Sequence, residues 1–194
     1  MSTGNASPGY LEAFGRLAAR IAASLTPLPR RAPPVRMTIA GGAALHFHTG
    51  EGAPCGIDAA FSRPVVLPAR LEDAYGDKDG SARLLYLDRA YNGTLAPMHP
   101  QAREDSRVIA LEGVDARVLE VRVLAPIDLA VSKLGRFSAQ DRADIALLAR
   151  HRLISAAALR RRLVQALQGY VGSVAAVRAR IEPACRIAGG ARRR

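Results

Sequence analysis

One stretch of the chain carries the residues best spaced for chemistry. An alternating run of Val35, Met37 and Ile39 leads into Gly41-Gly42, a short helical segment over 43–49, a Gly/Pro loop over 50–56 and a second strand over 57–61. Two glycines between a strand and a helix let the backbone come close to a phosphate chain. The helix N-terminus behind them offers unpaired N–H groups to anions. Period-2 counting puts Gly56, Asp58 and Ala60 on one face of the second strand, and Ile57, Ala59 and Phe61 on the other. Two carboxylates at i and i+2 of such a strand would share a face and could hold Mg²⁺ against phosphates. Here Asp58 stands alone, with Gly56 two residues before it and Ala60 two after. A later strand, Leu119-Glu120-Val121-Arg122-Val123, turns its valines and leucine to the core and sets Glu120 and Arg122 on one polar face.

The second informative block runs Leu124-Ala-Pro-Ile-Asp128-Leu-Ala-Val-Ser-Lys133-Leu-Gly-Arg136-Phe-Ser-Ala-Gln-Asp141-Arg-Ala-Asp144-Ile145. Lys133 and Arg136 lie three apart on a predicted helix, where they can pair with Asp141, Asp144 or Glu120 as a surface ion network. Together with Gly41-Gly42 and the Asp58 strand, this block resembles small nucleotidyltransferase-like proteins related to the AbiEii and MenT toxins of bacterial toxin–antitoxin systems. The resemblance spans roughly residues 35–170.

It implies Mg²⁺-dependent transfer of a nucleoside monophosphate from an NTP to a hydroxyl on RNA or protein. In that pattern Gly41 and Gly42 cradle the phosphates, and Asp58 with Glu120 binds the metal. Lys133 and Arg136 contact the nucleotide, and Asp141 or Asp144 assists metal or nucleophile positioning. Where the pattern has its first aspartate this sequence has Gly56, and Pro54 stands in place of the usual threonine. The set is thus one carboxylate short. Two readings stay open: an active nucleotidyltransferase, or a degenerate one that binds nucleotide, nucleic acid or a partner protein without turnover.

The elements that must position these residues follow from periodicity. Leu11, Phe14, Leu17, Ala18, Ile21 and Leu25 form one stripe of a helix over 10–25. A Pro/Arg linker over 26–34 ends it. Tyr75 to Ser81 reads as a hairpin turn with Asp79-Gly80 at its tip, and 83–88 as a strand. The segment 89–105 shows no period and reads as a surface loop. Strands are expected over 108–111 and 118–124, then helices over 126–136 (opened by Pro126) and 141–152 (capped by Ser138). Two last helices are capped by Ser155 and Ser173. The fold class is α/β (α+β): a nucleotidyltransferase-like mixed sheet followed by a helical C-terminal third. The expected segments are an N-terminal helix and linker over 1–34, a core over 35–152, and C-terminal helices with a basic tail over 153–194.

Composition bounds the partners. The 194 residues carry 28 Lys plus Arg against 17 acidic residues, a net charge of +11, which favours polyanions: nucleic acid, nucleotide phosphates or an acidic partner protein. The resemblance implies an NTP, tRNA or other RNA, and a cognate antitoxin or regulator protein as these partners. The excess gathers at Arg30, Arg31 and Arg36, at Arg142, Arg150 and Arg152, at Arg160 to Arg162, and at Arg192 to Arg194. Aromatics are only 5%, which argues against base-stacking single-strand binders. No recognition-helix signature supports a DNA-binding reading. Cys55 and Cys185 lack CxxC or His neighbours, so free thiols are expected. With no apolar run of bilayer length and no secretory signal, a cytoplasmic protein without membrane association is expected. His46 and His48, two apart on a helix, do not share a face and make no metal pair.

Overall fold

A computed structural model describes residues 4–25, 32–52, 54–77, 79–91 and 96–190. Arg30, Arg31, most of the 26–34 linker and the tail arginines 192–194 lie outside them. By contact density the chain divides into two compact units, Met1–Tyr91 with Arg107–Val123, and Asn92–Ser106 with Leu124–Arg194.

Among the described residues, the first unit is a six-stranded mixed sheet with two helices. Helix α1 (Pro8–Ser24) starts on a proline, whose missing N–H costs nothing in the first turn. Its stripe of Tyr10, Ala13, Phe14, Leu17, Ala18 and Ile21 is buried. Strand β1 (Val35–Ala40) passes directly into α2 (Gly41–Thr49), which is buried on nearly every side and ends at Gly50 in the left-handed conformation, φ 70°. There follow β2 (Gly56–Phe61), β3 (Glu72–Gly76), β4 (Ala82–Leu87), β5 (Arg107–Val108) and β6 (Leu119–Val123). The sheet order is β3-β4-β2-β1-β6-β5. Pairs β1–β6 and β2–β4 are parallel; β1–β2, β3–β4 and β5–β6 are antiparallel.

The expected alternation holds: Ile57, Leu85, Leu87, Leu119, Val121 and Val123 are buried, while Leu84 and Tyr86 of β4 are exposed. An aromatic cluster of Tyr10, Phe14, Phe47 and Tyr75 joins α1 and α2 to β3, with ring centroids 5.2–6.4 Å apart.

The hairpin turn falls where expected, with Gly80 at φ +78° and the Asp77 amide bonded to the Ser81 carbonyl. Strand β3 itself had no period to reveal it, since only Tyr75 of its five residues is buried. Strand β5 is shorter than expected. The Ile109 amide still bonds to Val121, but the chain then turns through Gly113 at φ +75°.

The second unit is helical: α3 (Pro126–Ser132), α4 (Ala139–Arg150), α5 (Ala156–Ala166), a 3₁₀ turn and α6 (Val174–Gly190). Leu129, Val131, Leu134, Ile145, Leu148, Leu159, Leu163 and Val177 fill its core. Helix α3 stops four residues before the expected end. Leu134 and Gly135 make i→i+3 bonds, and Phe137 takes φ 59°, reversing the chain so that Ser138 can cap α4. Ser138 and Asp141 form a reciprocal capping box. Ser155 and Ser173 accept from Ala158 and Ala176 at the starts of α5 and α6, as expected.

Candidate functional site

In the first unit, the chemistry-bearing residues gather where β1 becomes α2. The antiparallel register sets Ala40 opposite Asp58, so the aspartate reaches the Gly-Gly turn. Gly41 has φ +58°, and a Cβ built on it would lie 1.8 Å from Asp58 Oδ2. Only glycine satisfies both the left-handed backbone and the close approach. A Cβ on Gly42 would meet the Pro54 side chain at 3.4 Å, an ordinary contact. Among the described residues no side chain caps α2, whose N-cap is Ala40, and the first N–H groups of a helix are suited to an anion.

A carboxylate not singled out from sequence lies beside Asp58. Parallel pairing sets Gly56 level with Tyr86 and Ile57 with Leu87. The Asp88 amide extends the pairing by bonding to the Ile57 carbonyl at 3.0 Å. One residue further, the same register brings Asp58 level with Asp88 on strands about 4.8 Å apart. With Leu85 and Leu87 buried, alternation puts Tyr86 and Asp88 on the face shared with Asp58. One Asp88 oxygen accepts from the Ala90 amide at 2.8 Å, which fixes its orientation. The signal was present in Leu85-Tyr86-Leu87-Asp88, but Asp88 closes the strand where the aperiodic segment begins.

Gly56 is covered by its neighbour. A Cβ there would lie 3.5 Å from the Tyr86 hydroxyl and 3.6 Å from the ring carbon bearing it. Beneath the site, burial pushes the Tyr10 phenol far above its ordinary range, with Tyr75, Asp58 and Cys55 adding to the shift. Among the described residues the Tyr10 and Tyr75 hydroxyls, both buried, find no hydrogen-bond partner.

Glu120 departs from its expected place as a metal partner of Asp58. On β1 it pairs with Arg36, whereas Asp58 pairs with Ala40. Four residues of strand, about 13 Å, separate those levels, and the two acids flank β1 on opposite sides. One ion does not span that distance. Glu120 instead accepts from Arg122 Nε at 2.6 Å, with Arg36 Nε at 3.4 Å.

In the second unit, Lys133, Arg136, Asp141 and Asp144 form one ionic cluster, in which both carboxylates are buried while the Arg136 guanidinium is exposed. Lys133 Nζ lies 2.5 Å from Asp144 Oδ2 and 3.8 Å from Asp141 Oδ1. Arg136 grips Asp141 with two bonds of 2.9 Å. Gln140 donates to the other Asp144 oxygen at 2.8 Å. Burial pushes the Asp141 carboxyl up, but Arg136, the Ser138 amide and hydroxyl, and Lys133 outweigh it and hold it at about 2. The network reading of these four residues is the one this geometry matches; their cationic members meet carboxylates of α4. Asp128, the acid of the Pro-Ile-Asp triplet, is fully buried. It takes both forks of Arg162 at 2.7 Å, while Asp105 takes the same guanidinium at 2.6 Å.

Two histidines are held by backbone groups. His46 accepts from the Ser7 amide through Nε2 at 3.2 Å and meets the Glu51 carbonyl through Nδ1. His99 Nδ1 accepts from the Gln101 amide. Cys55, exposed, and Cys185, buried, are free thiols. Among the described residues, no helix is long and apolar enough to cross a membrane.

Residues 18–180 match the family described as a nucleotidyltransferase of unknown function, DUF6036, and the chain belongs to that family. No curated protein and no solved structure matches it.

Proposed function

We propose that this member of a nucleotidyltransferase family moves a nucleoside monophosphate from an NTP to a hydroxyl of RNA or protein, with Mg²⁺ as its ion. The observation that carries the reading is the Asp58 carboxylate packed against Gly41 at the N-terminus of α2. A phosphate chain there meets helix N–H groups on one side and a carboxylate able to hold a cation on the other. In the reaction the acceptor oxygen bonds to the α-phosphorus. The bond from that phosphorus to the bridging β-phosphate oxygen breaks, pyrophosphate leaves, and the hydroxyl proton passes to solvent.

Asp58 and Asp88 supply hard oxygen donors for the ion. Mg²⁺ commonly takes one or two protein carboxylates and completes its shell with phosphates and water. Among the described residues, no group of three His, Cys, Asp or Glu could hold a metal. The donors therefore fit one ion arriving with the nucleotide. When bound, it neutralises charge on the phosphate oxygens.

The AbiEii- and MenT-like block supports a toxin–antitoxin setting, with tRNA or another RNA as acceptor and a small regulator protein as partner. The arginines of α4, α5 and the turn between them, Arg142, Arg150, Arg152 and Arg161, supply positive charge for a polyanion. Incubation of the pure protein with each α-³²P NTP, Mg²⁺ or Mn²⁺, and total RNA tests the reading. Label is expected on RNA or protein; none with any of the four nucleotides overturns it. Gly56 favours one alternative, a nucleotide-binding protein without turnover, for which calorimetry would register NTP binding while labelling stays at background.

A further inference from the structure

The geometry points to the Tyr86 hydroxyl as a neutral donor to the phosphate chain, a phosphate-positioning group set over the bare backbone of Gly56. The inference rests on the nucleotide-site reading above and assigns that site a further ligand contact. Three observations carry it. Tyr86 is level with Gly56 across the parallel β2–β4 pair. Its hydroxyl and two ring carbons lie 3.5–3.7 Å from where a Gly56 side chain would begin, so the phenol occupies space that any other residue at 56 would share. The ring is 43% exposed, whereas Leu85 and Leu87 beside it are buried, so packing of the core does not account for an aromatic here.

Tyr86 also lies two residues before Asp88 on one strand face, about 7 Å away. A triphosphate easily spans that distance. Gly41 and Gly42 clear the approach from the α2 side.

Charge decides what such a group can do. The site already presents two carboxylates to a ligand that is itself strongly negative. With a single ion to offset them, a third acid would repel the phosphates, whereas a phenol O–H donates a hydrogen bond to them. Bonds from a neutral donor to an ionised acceptor are stronger than neutral pairs. Gly56 and Tyr86 thus act together, the glycine leaving room and the tyrosine filling it with a donor.

Calorimetric titration of the full chain with Mg²⁺-tripolyphosphate, which has no base to stack, tests the idea. It is paired with each NTP and each free nucleoside. Tyr86→Phe keeps the ring and removes the donor. It is expected to weaken tripolyphosphate and NTP binding about tenfold or more, with nucleoside binding and melting temperature unchanged. Equal tripolyphosphate affinity in Tyr86→Phe and wild type overturns the inference while leaving the nucleotide site standing. A loss confined to the nucleosides, or seen only in Tyr86→Ala, also overturns it, because the ring alone would then be acting. Failure of the wild type to bind tripolyphosphate or any NTP overturns the site reading itself and this inference with it.

Discussion

The Asp58 carboxylate fills the space in which a side chain on Gly41 would begin, with Oδ2 1.8 Å from an ideal Cβ position. The pair couples backbone to chemistry, since the left-handed Gly41 is what allows β1 to enter α2 with an acid at its mouth. Gly41→Ala must therefore both strain the backbone and displace Asp58. Left-handed backbone alone costs a residue with a Cβ about 1–2 kcal/mol. A fall in stability of at least about 2 kcal/mol is expected in thermal or denaturant melts, with nucleotide binding lost. Gly42→Ala is the control. Its Cβ meets Pro54 at an ordinary distance, and alanine favours the helix, so stability should hold or rise by up to about 1 kcal/mol.

On the proposed reading, the register of β2 with β4 offers Asp88, rather than Glu120, as the metal partner of Asp58. Asp58→Asn and Asp88→Asn are each expected to lower nucleotidyl transfer about 100-fold or more and to raise the Mg²⁺ concentration needed for NTP binding. Glu120→Gln should leave both unchanged. It loosens Arg36 and Arg122, a partly exposed pairing worth about 1 kcal/mol or less. Initial labelling rates across a Mg²⁺ series separate the two assignments, and a Glu120→Gln protein as impaired as Asp88→Asn would reverse them.

What the sequence made legible, and what it hid, follows from locality. Strands β2, β4 and β6 alternate between buried and more exposed residues, and β1 alternates in residue type although Thr38 and Ala40 on its second face are also buried, so alternation revealed all four, and with them the facing of Asp58. Strand β3 buries only Tyr75 and has no such signature. Gly41-Gly42 with Asp58 was readable because all three lie within one strand–helix–strand passage. Asp88 was not, because its relation to Asp58 exists only through a parallel pairing across thirty residues of chain. Glu120 had the right face but the wrong level, and facing is local whereas level depends on strand order. In the second unit, spacing on one helical segment allowed Lys133 either phosphates or carboxylates. Which carboxylates lay within reach depended on the reversal at Phe137, where a non-glycine residue with positive φ leaves little trace in sequence.

Asp128 and Arg162 should dominate the stability of the helical unit. The acid is fully buried and its guanidinium partner nearly so; removing Arg162 strands the buried carboxylate, and removing Asp128 leaves the guanidinium only the half-exposed Asp105. Asp128→Ala is expected to cost about 3–5 kcal/mol in denaturant melts. Replacing both together, Asp128→Leu with Arg162→Met, should recover most of that loss, since a well-packed apolar pair often matches a buried ion pair. The exposed Arg160–Glu182 pair offers the contrast, and Glu182→Gln should hardly move the melting curve.

Asp141 sets an acid limit on the same unit. Burial raises its carboxyl, but Arg136, the two Ser138 donors and Lys133 bring it to about 2 in the folded chain, against about 3.9 when unfolded. A folded value below the unfolded one means that the unfolded chain binds the proton more readily. The stabilisation is therefore complete above about pH 4, declines as the pH falls, and is gone below about pH 2. Its size follows from the shift, about 2–3 kcal/mol. Asp141→Asn removes the charge that Arg136 grips and half of the capping box, so it should be less stable than wild type by about that amount at neutral pH. Other carboxylates titrate in the same range, which makes the difference between the two proteins the informative quantity. Melts of both from pH 7 to pH 2 should show curves that run parallel above pH 4 and converge below it. Parallel curves throughout would mean that Asp141 stabilises the α4 terminus by shape and hydrogen bonding, without its charge.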